Sequence, residues 1–218
     1  MSTTIPTTEL VGLLTDTIPF ALDDPEWPEH FCVRLLWDGE LLHTQAYDGT
    51  HLGWSRWSPD DAPDTDAQES LIDQWGGDDP PWSIVISLAD AKGLAKLYKV
   101  NDKLAYTPLQ VSGERGDLRI VRNKTRGLMA ISTTVEPAEV TFPDLDAFLA
   151  KTGRPKAVST VAFTAACLAH FAEVRPRGPM LVTFTGPTSA ALVTIGDRFT
   201  GAIAQLRTAA ERDLKAAA

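Results

Sequence analysis

The stretch that decides the fold is 158–207, which contains VSTVAF (158–163), TAACLAHFAEV (164–174), PMLVTF (179–184), SAALVTI (189–195) and RFTGAIAQL (198–206). The first segment has the β-branched and apolar composition of a strand. Cys167, Leu168 and Phe171 give the second segment an apolar face, and Thr164 is a suitable N-cap, so this segment is predicted to be a helix. Glycine-containing turns separate the last three segments, as hairpins require. The stretch therefore predicts a βαβββ unit.

The same order of elements occurs twice more, beginning near Ile5 and near Ser83. Each copy starts with a short strand, followed by a helix at 7–17 with strands at 31–37, 40–47 and 51–57, or by a helix at 88–100 with strands at 108–113, 117–123 and 127–135. The starts at Ile5, Ser83 and Ser159 lie 78 and 76 residues apart. Repeated units usually bury their apolar faces against one another. We therefore expect an α+β fold of antiparallel sheets with helices on one face, although any α+β chain can show such a pattern.

Length and composition are those of a soluble globular protein. The chain has 218 residues, of which 44% are hydrophobic, and no apolar run approaches the length of a membrane span. The N-terminal MSTTIPTTEL lacks the features of a signal peptide, so we expect a cytoplasmic protein with no membrane partner. Cys32 and Cys167 stand among apolar neighbours in different units, which indicates buried side chains and no disulfide.

Charge is unevenly distributed along the chain. The net charge of −9 argues against a DNA-binding protein that relies on overall positive charge. Between Ser58 and Asp79 lie eight acidic residues and no lysine or arginine, and we interpret 58–81 as a mobile acidic connector. A metal site on these carboxylates is the less favoured interpretation, because no EF-hand spacing is present. Four lysines lie on or just after the predicted helix at 88–100: Lys92, Lys96, Lys99 and Lys103. For this helix alone, a solvated surface is favoured over a phosphate-facing one.

Motifs for catalysis are missing from the sequence. It contains no Gly-rich phosphate loop, nucleophile elbow, paired CxxC or HExxH, and its four histidines are scattered. A Ser-His-Asp triad assembled across the fold remains open, but no local pattern indicates one. We therefore expect no enzymatic activity and no cofactor or metal. Asp48, which precedes a glycine, is predicted to be a turn residue.

Four segments, taken in order, carry a resemblance to a known family: ELLHTQAYDGTHLG (40–53), SIVISLADAKGLAKL (83–97), FPDLDAFLAK (142–151), and VAFTAACLAHF with LVTFTGPTSAALVTIGDRFTGAIAQLR (161–171 and 181–207). On these segments the chain resembles the bacterial β sliding clamp, the DNA polymerase III processivity factor, in a shortened form. The Phe-Pro-Asp connector and the Gly-Asp-x-Phe run are the most specific matches. Domains of this family are pairs of βαβββ units, so the resemblance implies a DNA-clamp-like fold.

The resemblance also implies a function in DNA replication. A sliding clamp is a homo-oligomeric ring that encircles duplex DNA without sequence preference and carries DNA polymerase or other client proteins through short peptides. Lys92, Lys96, Lys99 and Lys103 would then face the DNA, whereas the first predicted helix contributes only Glu9 and Asp16 as charged residues. A non-encircling adaptor or decoy that binds clamp clients or another chain is the alternative function, and an uncharacterised enzyme is a third.

The family's peptide pocket can be carried over residue by residue. The resemblance assigns peptide binding to a set drawn from the Asp-Gly turn, the connector and the last strand: Tyr47, Gly49, Thr50, His51, Leu52, Pro143, Phe148, Ile203, Ala204, Gln205, Leu206 and Arg207. An apolar cleft with a few polar edges would suit an extended peptide with Leu or Phe anchors. The alternative is that the apolar members, Leu52, Phe148, Ile203 and Leu206, are ordinary core residues.

The chain has three units where the family has six. We predict a clamp-like domain of two units at 1–140, a connector at 141–157, a third unit at 158–207 that is half a domain, and a tail at 208–218. Four copies of three units equal the twelve units of a family ring. An unpaired half-domain leaves an open sheet edge, so we expect self-association or capture of a partner.

Overall fold

The computed structural model of the chain describes residues 2–204, apart from 25, 62–74, 78, 115, 125–126, 151–153, 159–160, 176–177 and 187–188. The strands are β1 (Thr3–Pro6), β2 (Cys32–Trp37), β3 (Leu42–Tyr47), β4 (His51–Trp57), β5 (Trp82–Ser87), β6 (Pro108–Glu114), β7 (Asp117–Arg122), β8 (Ile131–Val135), β9 (Met180–Thr183), β10 (Ala191–Ile195) and β11 (Phe199–Ile203). The helices are α1 (Thr7–Thr17), α2 (Leu88–Leu97), α3 (Leu145–Ala150) and α4 (Ala165–Ala172). Every strand pair is antiparallel, and the predicted α+β class is confirmed.

The first two units are joined by an exchange of strands. The strands form a four-stranded sheet in the order β1-β6-β7-β8 and a seven-stranded sheet in the order β5-β2-β3-β4-β11-β10-β9. β1 leads directly into α1 but pairs with β6 of the second unit, and β5 leads directly into α2 but pairs with β2 of the first unit. Each sheet therefore contains strands of both units, and neither unit can complete its sheet alone.

Helices α1 and α2 cover this domain with their apolar faces. Leu10, Leu13 and Leu14 of α1 are fully buried, at the spacing that places apolar side chains on one face of a helix. α1 is also tied to the sheet by a hydrogen bond, because the Thr44 hydroxyl on β3 donates to the carbonyl of Leu13 at 2.8 Å. The Ser87 side chain caps α2 by accepting from the backbone N–H of Asp90.

The third unit pairs with the first along two strands in which two glycines lie opposite each other. β11 pairs with β4, and Gly201 lies directly opposite Gly53 in this pairing. A Cβ on Gly53 would come within 2.3 Å of the Phe20 ring, and one on Gly201 within 2.7 Å of the Leu52 carbonyl oxygen. The glycines therefore provide the space in which Phe20 and Phe171 of α4 meet edge to face, with ring centroids 5.0 Å apart.

Gly201→Ala is expected to lower the free energy of unfolding by about 1–3 kcal/mol, because overpacking at a backbone contact cannot be relieved by a side-chain rotation. Urea unfolding followed by circular dichroism measures the change. Gly93→Ala on α2 is the matched control. Since nothing lies within 4 Å of its added Cβ, this variant should gain about 1 kcal/mol from helix propensity. Equal effects of the two substitutions would contradict the role assigned to the glycine pair.

Two expectations differ from the structure. In the predicted strand at 158–163, the described residues Val158 and 161–163 form no strand, because they are paired with none of the described strands. The acidic connector also contacts the core at its C-terminal end, which the prediction of a mobile segment did not include. Trp75 is buried in the core, and the carbonyl of Asp79 accepts a hydrogen bond from the Trp37 indole at 3.1 Å. The prediction weighed the acidic residues and neglected this tryptophan.

Other boundaries shifted slightly. α1 matches the predicted 7–17, whereas α2 ends at Leu97 rather than at residue 100. Both cysteines are free thiols, but Cys167 is half-buried, not buried as expected. Among the described residues, none of the helices has the length and apolar character needed to cross a membrane.

Candidate functional site

The Asp-Gly turn between β3 and β4 is held by one carboxylate. Oδ1 of Asp48 accepts from the backbone N–H of Thr50 at 2.7 Å and from that of His51 at 2.6 Å, as in an Asx turn. Gly49 has φ +93°, a left-handed conformation that favours glycine. The Tyr47 hydroxyl donates to the carbonyl of Gly49 at 2.7 Å and fixes the tyrosine ring beside the turn.

The last strand lies against this turn. Ile203 of β11 pairs with His51 of β4, and the backbone N–H of Ala204 donates to the Thr50 carbonyl at 2.9 Å. Leu52 of β4 and Ala202 of β11 form a small buried cluster with a residue of the connector, Leu145. The turn, the final strand and the connector therefore meet at one place, although they are far apart in the sequence.

An open cavity of about 410 Å³ lies where the connector passes over Tyr47. Its lining is mainly apolar, with one carboxylate, and consists of Tyr47, Pro143, Asp144, Leu145, Ala147 and Phe148. α3 begins at this wall because the Asp144 side chain accepts from the backbone N–H of Ala147 at 2.9 Å. Phe148 is 40% exposed and Leu145 is 2% exposed, so the cavity has a buried floor and an accessible aromatic edge.

The predicted peptide-binding residues occupy different positions around this cavity. Tyr47, Pro143 and Phe148 line it. Leu52 is buried under the connector and Ile203 is buried in the main core, which is the alternative position considered for both. The remaining described members lie in or beside the turn, with Gly49, Thr50 and Ala204 exposed and His51 buried. Gln205, Leu206 and Arg207 fall outside the described residues.

The sequence analysis missed three residues of this site. His30 packs edge to face on Tyr47, with centroids 5.2 Å apart, and Trp27 stacks on His30 at 6.2 Å. Trp27 is 53% exposed, so this row of rings extends from the cavity to the solvent. His170 of α4 lies against His51, with ring centroids 4.9 Å apart. No sequence pattern indicated these contacts.

An ion pair lies under the turn. Oδ2 of Asp48 is 2.6 Å from Nδ1 of His51. Burial alone would raise the pKa of Asp48, but hydrogen bonds from the His51 ring and from the backbone of His51 and Thr50 lower it below its usual value. Burial alone would lower the pKa of His51, and the hydrogen bond and charge of Asp48 outweigh it and raise that pKa. The two groups therefore favour each other's charged forms.

Within the described chain, the side chains of Asp48, His51 and His170 form a group whose spacing would suit a metal ion. Ligand atoms of Asp48, His51 and His170 lie within 4.8 Å of one another. However, Asp48 and His51 are at hydrogen-bond distance, and the carboxylate already accepts from the backbone of Thr50 and His51. The turn and its ion pair thus account for the Asp48 carboxylate and for Nδ1 of His51, whereas Nε2 of His51 and Nδ1 of His170 are buried without a hydrogen-bond partner among the described residues.

The four predicted DNA-facing lysines are exposed. Lys92 and Lys96 lie on the face of α2 opposite its buried leucines, and Lys99 and Lys103 follow the helix. Only Lys92 has an ion pair given by the structure, with Asp23 at 2.7 Å. Both side chains of that pair are exposed, so it is weak.

The acidic residues of α1 do not face the solvent as bare charges. The guanidinium of Arg175, just after α4, contacts Asp16 at 2.9 Å and Glu9 at 3.4 Å. Arg198 adds a contact with Glu9 at 3.6 Å. The third unit therefore neutralises the acidic residues of the first helix, which the sequence could not indicate.

The sequence matches no protein-family model and no curated protein, so the comparison rests on structure. A DNA polymerase III beta subunit from Eubacterium rectale superposes with a TM-score of 0.72 at 8% identity, covering 95% of this chain and 66% of that one. The beta subunit from Thermotoga maritima gives 0.68 at 12% identity, covering 96% and 66%. A sliding clamp from Pseudomonas aeruginosa bound to griselimycin gives 0.69 at 12% identity, covering 95% and 66%. This chain, which spans about two thirds of the length of those proteins, has the fold of the bacterial DNA polymerase III beta sliding clamp.

Proposed function

We propose that this protein is a sliding clamp of DNA replication, a non-enzymatic processivity factor that carries client peptides and encircles duplex DNA. The observation that supports this most is the cavity formed by Tyr47 and the connector, on a chain with the clamp fold. An apolar cavity with an aromatic edge and one carboxylate suits a short extended peptide with Leu or Phe anchors.

The peptide would lie between the Asp-Gly turn and α3. Its apolar anchor would enter between Tyr47 and Phe148, with Leu145 as the floor. Asp144 contributes a carboxylate to the lining, which favours a peptide N–H or a positively charged side chain at that position. Gln205, Leu206 and Arg207 are proposed to extend the same site.

The DNA would lie along the helices. Lys92, Lys96, Lys99 and Lys103 can each approach a phosphate without reading bases, and weak contacts of this kind permit sliding. Neutralisation of Glu9 and Asp16 by Arg175 removes the repulsion that α1 would otherwise exert on a phosphate backbone. The net charge of −9 disfavours binding of DNA to the remaining surface.

Phe148→Asp is expected to weaken binding of a fluorescein-labelled peptide with Leu and Phe anchors at least about tenfold, because the variant places a charge at the apolar entrance. Fluorescence anisotropy measures the dissociation constant. Met129→Asp is the matched control, since Met129 is 80% exposed and does not line the cavity. Absence of peptide binding by the wild type, or equal affinities of both variants, would contradict the peptide site.

Encirclement is tested separately on DNA of the same sequence in two forms. Protein assembled on a nicked circle should be retained at high salt and lost when the circle is cut, because a closed ring is held by topology and not by charge. Equal salt-dependent loss from both forms would instead favour the non-encircling adaptor. Peptide binding without retention would leave the carrier function standing and remove the ring.

A further inference from the structure

The first two units show how a clamp-fold unit is completed. In each, the strand before the helix leaves its own unit and pairs with the first strand after the other unit's helix, as β1 does with β6 and β5 with β2. The first residue of each helix continues the pairing. The N–H of Thr7 donates to the Thr107 carbonyl at 2.9 Å, and that of Leu88 donates to the Phe31 carbonyl at 3.1 Å. Completion is thus reciprocal and has a fixed register.

The third unit has a strand in the position of β6 and β2, but no described strand pairs with it as β1 and β5 do with those two. β9 is its first strand after the helix and pairs with β10 on one side, and no described strand pairs with its other edge. The N–H of Gly196 donates to the Pro179 carbonyl, so the backbone groups of Met180 and Val182 point away from β10. Just beyond β9, the N–H of Lys156 donates to the Phe184 carbonyl, which covers only the end of this edge.

The segment that should leave the unit is also unpaired. Residues 161–163 stand directly before α4, in the position of β1 before α1, but are not in a sheet. Their Phe163 ring stacks on Phe184 of the same chain, with centroids 6.4 Å apart. The third unit therefore has an unpaired segment in the position of an exchanged strand, residues 161–163, and an unpaired sheet edge on β9.

Helix α4 of the third unit also has an apolar surface that is only partly buried. All residues of α4 except His170 are apolar, yet Phe171 is its one buried residue among those described, whereas α1 and α2 each bury several. Leu168 is 42% exposed, and on the edge strand Met180 and Leu181 are 50% and 59% exposed. Exposed apolar side chains on the helix and on the edge strand of one unit are typical of an interface.

We propose that a second copy of this chain completes the third unit by reciprocal strand exchange around a two-fold axis. Residues 161–163 of each copy pair antiparallel with β9 of the other, as β1 pairs with β6 and β5 with β2. In the first two units the residue two positions before the helix lies opposite a residue whose backbone groups point toward the incoming strand, as Ile5 lies opposite Leu109 and Ile86 opposite Val33. Because the backbone groups of Met180 and Val182 point outward, the same arrangement places Phe163 opposite Met180 and Val161 opposite Val182, one residue nearer the start of the receiving strand. The Lys156 bond at the end of the edge is exchanged for the incoming strand.

A second copy of this chain fits better than an unrelated chain, because it pairs both the free segment 161–163 and the free edge of β9. A two-fold axis brings each free strand to each free edge with one interface, which is the usual form of a homodimer. An unrelated peptide could fill the edge of β9 but would leave residues 161–163 unpaired. The inference rests on the strand pairing and does not depend on DNA or client binding.

Sedimentation equilibrium should give a wild-type mass that is twice the chain mass of 23.6 kDa or a higher even multiple. Val182→Pro should halve the mass, because it removes an outward N–H that β10 does not use but an added strand needs. Val182→Thr keeps this N–H and should leave the mass unchanged. Peptide binding at Tyr47 should survive in the proline variant, which separates this proposal from the client site. A wild type that stays monomeric at high concentration would overturn the exchange.

Cysteine cross-linking tests the register in a Cys167→Ser background. Ala162 and Leu181 are predicted to face each other across a pair without hydrogen bonds, where Cα atoms approach to about 4.5 Å and a disulfide can form. Ala162→Cys with Leu181→Cys should therefore yield a covalent dimer on a non-reducing gel. The out-of-register pair, Ala162→Cys with Thr183→Cys, should yield much less. A disulfide formed only within one chain, or equal yields of both pairs, would overturn the proposed register.

Discussion

Arg175→Met is expected to lower the free energy of unfolding by about 3–5 kcal/mol, because it leaves a buried carboxylate without its counter-charge. Asp16 is 1% exposed and accepts from both the side chain and the backbone N–H of Arg175, the latter at 2.9 Å. Its other oxygen accepts from the Ser55 hydroxyl at 3.0 Å, which alone does not neutralise the charge. Methionine keeps much of the volume of the arginine stem, so the loss reports the charge rather than a cavity.

Urea denaturation measures this change, and Lys92→Met serves as the control. Lys92 and Asp23 form an ion pair of similar length, 2.7 Å, but both side chains are exposed. Exposed pairs contribute about 0–1 kcal/mol, so the control should be nearly neutral. If both variants lost the same small amount, Asp16 would have to be better hydrated than its burial indicates.

Asp48→Asn is expected to lower the free energy of unfolding by about 2–3 kcal/mol near pH 5–6, because it removes the charge from the hydrogen bonds under the turn. Asparagine retains an oxygen for the backbone N–H groups of Thr50 and His51, so the turn itself should persist. The loss comes mainly from the His51 contact, whose partner atoms lie 2.6 Å apart.

The pH dependence of this loss follows from the two pKa shifts. The lowered pKa of Asp48 gives a contribution that is present above the unfolded value of about 3.9 and is lost as the pH falls through the folded value. The raised pKa of His51 gives a contribution to stability that is fully present below the unfolded pKa of about 6.5. This contribution is lost as the pH rises through the folded value. The difference between wild type and variant should therefore be largest between these limits. His170, with Nδ1 4.0 Å from Oδ2 of Asp48, also faces the carboxylate, so His170→Gln tests its share.

The chain provides a matched turn as the control. Asp38 precedes Gly39 in the β2–β3 hairpin, accepts from the backbone of Glu40 and Leu41, and contacts His43 at 2.9 Å. Its side chain is 43% exposed, against 10% for Asp48. Asp38→Asn should therefore cost less and vary less with pH. A larger effect at Asp38 would show that solvent exposure does not decide the strength of these pairs.

Local patterns predicted the parts of the fold that depend on neighbouring residues. The bounds of α1 and the turn at Asp48 follow from apolar spacing and turn chemistry within a few residues. The α+β class was predicted correctly, and its clamp topology entered through the resemblance. In contrast, the strand predicted at 158–163 could not be assessed from composition, because a strand forms only where an edge is available to pair with it.

Contacts between distant residues set the limit of prediction at the candidate site. Asp16 and Arg175 are 159 positions apart, and the sequence shows only an acidic residue near the end of the first helix. Leu52 and Ile203 have side chains equally suited to a pocket and to a core, and only the pairing of β4 with β11 assigns them to the interior. Tyr47 and two predicted connector residues, Pro143 and Phe148, line one cavity, whereas its aromatic extension through His30 and Trp27 had no signal in the sequence.

The strand order has a consequence for copy number. In the described chain, β9 and β8 are each the last strand at one end of a sheet. If each β9 edge is filled by residues 161–163 of one partner copy, every chain is tied to one other chain, and the two-chain product still carries the β8 edge of each copy. Further growth then proceeds by pairs, so assemblies of two, four or six chains are allowed and those of three or five are not. Native mass spectrometry would therefore detect assemblies of two, four or six chains and none of three or five.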